Sequence, residues 1–252
     1  FTERDNKILD EIIFQGMIPD VEQKIGINEG MSLGVLIEEK RIPLNSVVEG
    51  QAICSELVKN RYEIAQNIFI TVLGPSQNNL MELEEHWKKD MVSRNYMFRV
   101  SDKIKLTEAF EYQIERIKSI YTNESFIVSE NEDLTKYIGE LAEMDESIVN
   151  RSSISFILEY DDRKCLFLGD AVIDKTILNN IENVVGFEYC FSAIKLPHHG
   201  SRYNITHDFI NRYSADEYYC LTNSAKYGHP DLEVLATILC KDTKFKKLIF
   251  NY

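Results

Sequence analysis

Three histidines and one aspartate, each at the end of an apolar strand, are the residues of this chain best suited to chemistry. Leu166-Phe167-Leu168-Gly169-Asp170 is a short apolar run that stops on a carboxylate. Ile194-Lys195-Leu196 passes through Pro197 into His198-His199-Gly200-Ser201. Tyr218–Thr222 is followed by Tyr227-Gly228-His229-Pro230. The chain has only five histidines, so three of them beside strand ends, together with Asp170, point to a metal site. Imidazole and carboxylate without cysteine suit zinc, manganese or iron. Two metals sharing a carboxylate can generate hydroxide at neutral pH and clamp both oxygens of a displacement, and Asp170 is the natural bridge.

Each of these residues also has a plainer reading. Gly169 lets the backbone turn sharply, so that the Asp170 carboxylate projects from the sheet rim, but an Asp there can simply cap a turn. Adjacent histidines point to different sides, so at most one of His198 and His199 aims at a shared centre unless the turn is tight. His229, in a Gly-His-Pro turn, can be a loop histidine with no role. Ser201, Asn150 and Lys195 are weaker candidates for orienting a substrate, and Lys195 is expected to be a solvated strand residue.

The elements that must position these groups can be read from periodicity. Ser152–Tyr160 and Lys164–Leu168 read as a hairpin around an Asp161-Asp162 turn. Asp174 can cap a helix whose buried side is Ile177, Leu178 and Ile181. Ile194–Leu196 is a strand, Thr206 can cap a short helix ending near Tyr213, and Tyr218–Thr222 is the next strand. Leu232–Leu239 is a helix and Lys247–Asn251 a last strand. A hairpin followed by strand–helix alternation predicts a layered α/β (α+β) domain with its site at strand ends. Upstream, Asn6–Phe14 and Gly30–Lys40 have helical spacing. Ile68–Leu73 is a strand stopping at Gly74-Pro75, and Ser76 or Asn78 can cap a helix with Leu80, Leu83, Trp87 and Met91 on one face. His86 is expected to be a solvated residue of that helix.

Charge and composition narrow the class. The net charge is −13. From Arg151 onward 12 Lys+Arg face 13 Asp+Glu, so residues 1–150 hold 16 against 28 and a net of −12. That argues against a broad basic grip on nucleic acid, though not against phosphodiester hydrolysis with metal-supplied charge. No apolar run is long enough to cross a membrane and no signal peptide is evident, so no membrane association and a cytoplasmic location are expected. The five cysteines form no Cys-x-x-Cys pair. Cys165, Cys190, Cys220 and Cys240 lie in or beside apolar segments and are expected to be buried reduced thiols.

From Asn150 onward the chain resembles a known family. Asn150 to Ser155, Phe167-Leu168-Gly169-Asp170-Ala171, Lys195-Leu196-Pro197-His198-His199-Gly200-Ser201, and Asn223 with Tyr227-Gly228-His229-Pro230 are similar in order and spacing to the C-terminal half of ComEC-like metallo-β-lactamase-fold hydrolases. Gly30–Asn45 and Ile70–Ser76, with the helix through Trp87, resemble the segment such proteins carry before that half. The resemblance implies an αββα sandwich, apparently without its N-terminal part. It implies residues 1–100 as the upstream part of that domain, 101–145 as an acidic helical insertion or linker, and 146–252 as the C-terminal half. Asp170 then matches the bridging metal ligand, and His199 the histidine that completes the second metal site. Both are the expected catalytic residues. His198, Ser201, His229 and Asn150 are the expected substrate-binding positions, and two zinc or manganese ions the expected cofactor.

The family's His-x-His-x-Asp-His motif is not in this chain, where the only histidine before Arg151 is His86. The chain starts at Phe1, and the expectation is that the motif lies upstream of it. The leading functional expectation is a metal-dependent phosphodiesterase or nuclease using a metal-activated hydroxide. A catalytically inactive interaction module, whose acidic first 150 residues dock a basic protein, is the alternative from another class. An ester, thioester or lactone hydrolase on the same scaffold is the third.

Overall fold

In the second half of the chain one polar turn joins β-forming segments into a hairpin, and helical segments separate the strands that follow. The computed structural model describes residues 40–41, 43, 45–57, 60–93, 134–139, 141, 143–222, 228–241 and 246–251. The helix expected at Asn6–Phe14, that at Gly30–Lys40 except for its last residue, and most of Ser101–Ala142 lie outside them. The chain divides into two units. One comprises Phe1–Ala52 and Glu84–Asn123, and its described part includes a 3₁₀ turn at Ser46–Val48. The other comprises Ile53–Leu83 and Glu124–Tyr252 and contains the sheet.

The fold of this second unit is α/β. Its strands are β1 (Arg61–Ala65), β2 (Ile68–Gly74), β3 (Ser155–Tyr160), β4 (Arg163–Phe167), β5 (Tyr189–Lys195), β6 (Tyr213–Cys220) and β7 (Lys247–Phe250), lying side by side in that order. Pairs from β1 to β4 are antiparallel, whereas β4–β5, β5–β6 and β6–β7 are parallel. Parallel neighbours need crossover connections. Helix α3 (Lys175–Val185) makes the first, α4 (His207–Arg212) the second and α5 (Leu232–Cys240) the third. Helix α1 (Gln77–Ser93) follows β2, and a single helical turn, α2 (Ile148–Arg151), precedes β3.

One apolar core joins the three crossover helices to the sheet. It contains Ile177, Leu178 and Ile181 of α3, Phe209 and Ile210 of α4, and Val234 and Ile238 of α5. These pack with Leu73, Ile157, Leu166, Phe191, Ile194, Tyr213 and Tyr218 from the strands. Burying each such side chain contributes roughly 1.5–3 kcal/mol. Phe156 of β3 and Phe167 of β4 are register partners on the face away from Ile157 and Leu166, and their rings stack at 5.0 Å.

Caps set the helix starts where side-chain chemistry placed them. Asp174 accepts the Ile177 N–H at 2.9 Å and Thr206 accepts that of Phe209 at 3.2 Å. Ser76 accepts the Asn79 N–H at 3.1 Å, which decides between Ser76 and Asn78 as the cap of α1. His86 is exposed on that helix.

Four expectations change. The strand expected from Ser152 begins at Ser155, because Ser147 caps α2 and Ser152 returns its N–H and hydroxyl to the Ile148 carbonyl. Strands β5 and β6 begin earlier than expected, at Tyr189 and Tyr213. Burial in β5 falls on Phe191 and then Ile194, and in β6 on Ala215 and then Tyr218, so neither strand shows continuous period-two alternation. Strand β1 was not evident because four of its five residues are exposed. Finally, Cys190 and Cys240 are exposed and Cys165 is half-buried, so of the four cysteines expected inside only Cys220 is; Cys54 is buried as well, and all five are free.

Candidate functional site

The site residues collect where the parallel strands end, at their carboxyl edge, which is where open α/β sheets bind ligands. After β4 the chain reaches Gly169 in a left-handed conformation (φ +53), and this bend turns Asp170 out of the strand. The Gly169 carbonyl accepts the His198 N–H at 3.0 Å and the Lys195 ammonium at 2.5 Å, so it ties the ends of β4 and β5 together.

After β5, Pro197–Gly200 forms a 3₁₀-like turn in which His198 (φ 41, ψ 50) and His199 (φ 59, ψ 19) are both left-handed. Two successive non-glycine residues in this region make the tight turn on which a shared orientation depended. It still sends the rings to different partners. The His199 Nδ1 lies 2.6 Å from the Leu221 carbonyl, just past the end of β6. A carbonyl only accepts, so Nδ1 carries the proton and Nε2 holds the lone pair. That Nε2 is 3.9 Å from Asp170 Oδ1.

Asp170 and His199 therefore fit a cation. With metal–ligand bonds of about 2.0–2.2 Å, one ion can touch two donors 3.9 Å apart. A backbone carbonyl on the second ring nitrogen is the usual support for a ligating histidine. Among the described residues, no group of three or more His, Cys, Asp and Glu could hold a metal ion, so this pair is what they supply. Lys195 also reaches Asp170, its ammonium 3.7 Å from the same Oδ1. Its side chain is only 14% exposed, which corrects the expectation of a solvated strand residue. Burial lowers the Lys195 pKa, with Asp170 opposing the shift. Burial also holds His199 below its usual value, against the pull of Asp170.

His198 belongs to a second cluster. Its Nδ1 is 3.0 Å from Asn204 Oδ1, 3.5 Å from Asn150 Nδ2 and 3.8 Å from Asp145 Oδ2. Asn150 donates to Asp145 Oδ2 at 2.6 Å, and the Ser147 N–H donates to the other oxygen at 2.8 Å. Asn204 Nδ2 donates both to Asp145 Oδ2 and to the Asp170 carbonyl, each at 3.2 Å. Burial would raise the Asp145 pKa, but the bonds from Asn150, Ser147 and Asn204 and the proximity of His198 hold it below its usual value. His229 is nearly buried, its ring 5.4 Å from that of His198 and its Nδ1 3.4 Å from Asp231 Oδ2. Asp231 also accepts the Arg202 N–H at 2.8 Å, and its own N–H donates to the Gly200 carbonyl at 3.0 Å. Ser201 is buried, and its hydroxyl accepts the Tyr203 N–H at 3.3 Å.

The structure thus brings Asp170 and His199 together, with Lys195 beside them. It places His198, Asn150 and His229 in a neighbouring polar group and gives Ser201 a bond within its own turn. Asp145 and Asn204 were not among the residues singled out in the sequence. Asp145 had a readable signal: an Asp two residues before the capping Ser147 makes an Asx-type turn. Asn204 had none beyond its closeness to His-His-Gly-Ser. Comparison with known proteins adds no relative: no protein-family model, curated protein or solved structure matches the chain. No described helix is long and apolar enough to cross a membrane.

Proposed function

We propose that this protein is a metal-dependent hydrolase of the metallo-β-lactamase type acting on phosphodiesters, nucleic acid among them. The observation that carries the reading is the pairing of Asp170 Oδ1 with the lone-pair nitrogen of His199 at the carboxyl edge of the sheet, 3.9 Å apart. In this reading the sheet and its helix layer form one βα half of an αββα sandwich. Asp170 and His199 hold zinc or manganese, as part of a two-ion centre. When bound, such an ion supplies Lewis acidity and makes water acidic enough to react at neutral pH. The residues around it have separate tasks. Leu221 orients His199 through its carbonyl, and Lys195 keeps Asp170 facing the rim while adding positive charge for an anionic substrate. His198 and His229 line the adjoining polar group, where a substrate oxygen or a proton can be held. The −13 charge means that a nucleic-acid substrate is drawn by the metal and Lys195, not by the surface at large.

The test is metal analysis of the full chain purified with manganese or zinc, beside Asp170→Ala and His199→Ala. Bound metal that falls in both variants, with chelator-sensitive cleavage of a phosphodiester but not of a carboxylic ester, is the expected result. Metal content unaffected by Asp170→Ala removes the assignment. One observation favours a second reading, a metal-free module that docks a basic protein through the acidic residues 1–150. Lys195 already gives Asp170 a counter-ion at 3.7 Å, and the described residues supply only two ligands. Absence of bound metal, with retained folding, selects that reading.

A further inference from the structure

Asn204 is fully buried, lies outside the metal pair and touches both halves of the site. Each polar atom of its side chain has a partner, and the partners decide which way the amide faces. Its Nδ2 meets Asp145 Oδ2 and the Asp170 carbonyl, both at 3.2 Å. A carbonyl cannot donate, and the Asp145 carboxyl, held below its usual pKa by its bonds, is ionised at neutral pH and cannot donate either. The amide nitrogen must therefore face these two atoms, and Oδ1 must face His198 Nδ1, 3.0 Å away. An amide oxygen only accepts, so the imidazole donates there. The Asn150 Nδ2, 3.5 Å from the same nitrogen, is itself a donor and is committed to Asp145 at 2.6 Å, so the shorter contact with Asn204 sets the ring proton.

We propose that Asn204 is the positioning residue of this site: it holds His198 as the Nδ1–H tautomer, leaving Nε2 as the nitrogen that meets substrate, and it anchors the backbone carbonyl of Asp170. Asp145, Asn204 and His198 form a chain in which the carboxylate polarises the amide and the amide polarises the ring. The backbone completes the clamp. The Asn204 carbonyl accepts the Ile173 N–H at 3.0 Å, and its N–H donates to Ser201 at 3.2 Å, so the loop after Asp170 and the loop after His199 are fastened to one residue. The tautomer follows from hydrogen bonding alone; the catalytic value of Nε2 rests on the hydrolase reading.

The test reads ring nitrogens directly. Long-range ¹H–¹⁵N spectra of the metal-free full chain, at a pH where the ring is neutral, report the tautomer of each of the five histidines. His198 is assigned by its loss in His198→Gln. A wild-type His198 protonated on Nδ1 is expected, and one protonated on Nε2 overturns the proposal without recourse to any variant. Asn204→Leu should release the ring to a mixture of tautomers, and Asn150→Ala should leave the tautomer unchanged. With manganese and a phosphodiester, Asn204→Leu should lose about 10- to 100-fold in kcat with a smaller change in KM, the range for supporting residues of metal sites. An Asn204→Leu protein that is folded and keeps both tautomer and kcat refutes the proposal while leaving the hydrolase reading intact. A wild type with the Nδ1–H tautomer but no hydrolysis upholds the Asn204 assignment and removes the hydrolase reading instead.

Discussion

Replacing Gly169 by alanine tests whether the bend beneath Asp170 is set by backbone geometry. Two separate terms oppose the substitution. At φ +53 an added Cβ meets the left-handed penalty, roughly 1–2 kcal/mol. The same Cβ would lie 2.8 Å from the Ile154 carbonyl oxygen, a distance real Cβ atoms do not adopt, and that oxygen is backbone and cannot swing aside. Forcing such an overlap costs typically 1–3 kcal/mol, for a total of about 2–5 kcal/mol. For a protein of this size that corresponds to a fall in Tm of roughly 5–15 °C. The Gly169 carbonyl also holds the His198 N–H and the Lys195 ammonium, so relief of the overlap moves the backbone that carries both.

Gly228→Ala serves as the internal control, because Gly228 has φ +71, close to that of Gly169, with nothing within 4 Å of its Cβ position, and bears the left-handed term alone. Urea unfolding of the wild type and both variants gives the stability difference, and histidine ring spectra show whether His198 and His199 have moved. Gly169→Ala should be the less stable by about the overlap term and should shift both ring signals. Equal destabilisation of the two variants would refute the clash with Ile154, and a Gly169→Ala protein as stable as wild type would refute the account of the bend altogether.

Three other outcomes follow from single contacts. Asp145 is held below its ordinary 3.8, so its folded pKa lies under its unfolded one; its contribution is present above that value and lost as pH falls through the lower, folded value. Asp145→Asn should therefore lower stability at neutral pH by about 1–3 kcal/mol and flatten the acid limb of the stability profile, and an unchanged slope below pH 3.8 counts against the network. Burial pushes the Cys220 thiol up to about 11, whereas Cys190 and Cys240 are exposed. Timed alkylation of the native protein followed by mass spectrometry should modify Cys190 and Cys240 well before Cys220, and equal rates would contradict the burial. Asp174→Ala removes the acceptor of the Ile177 N–H and should cost about 1 kcal/mol, most of it recovered by Asp174→Ser; a thermal melt that does not move excludes the cap.

Local chemistry explains why some of this architecture could be read in the sequence. Asp174, Thr206 and Ser76 cap helices by bonds to residues three positions on, and such bonds are visible in any window that contains both partners. Asp170 and His199 could be found for a related reason, since each follows a strand within a few residues. The His198–Asn204–Asp145 cluster could not, because Asn204 and Asp145 are far apart in sequence and meet only when β3, β4 and β5 stand in register. The turn that splits the two histidines was hidden as well. Left-handed φ at both His198 and His199 is costly, on the order of 1–3 kcal/mol each, and persists only where the surroundings over-determine it. Here they do. His198 is tied at its N–H to Gly169, and Gly200 lies so close to Pro230 that an added Cβ would sit 2.7 Å from the proline Cβ. Asp231 then closes the frame by donating its N–H to the Gly200 carbonyl. Strain at two adjacent residues, braced by Gly169, Pro230 and Asp231, accompanies the split that sends one ring to Asp170 and the other to Asn204. The placement of that strain, at the end of β5 and beside Asp170, is what the proposed ligand site rests on.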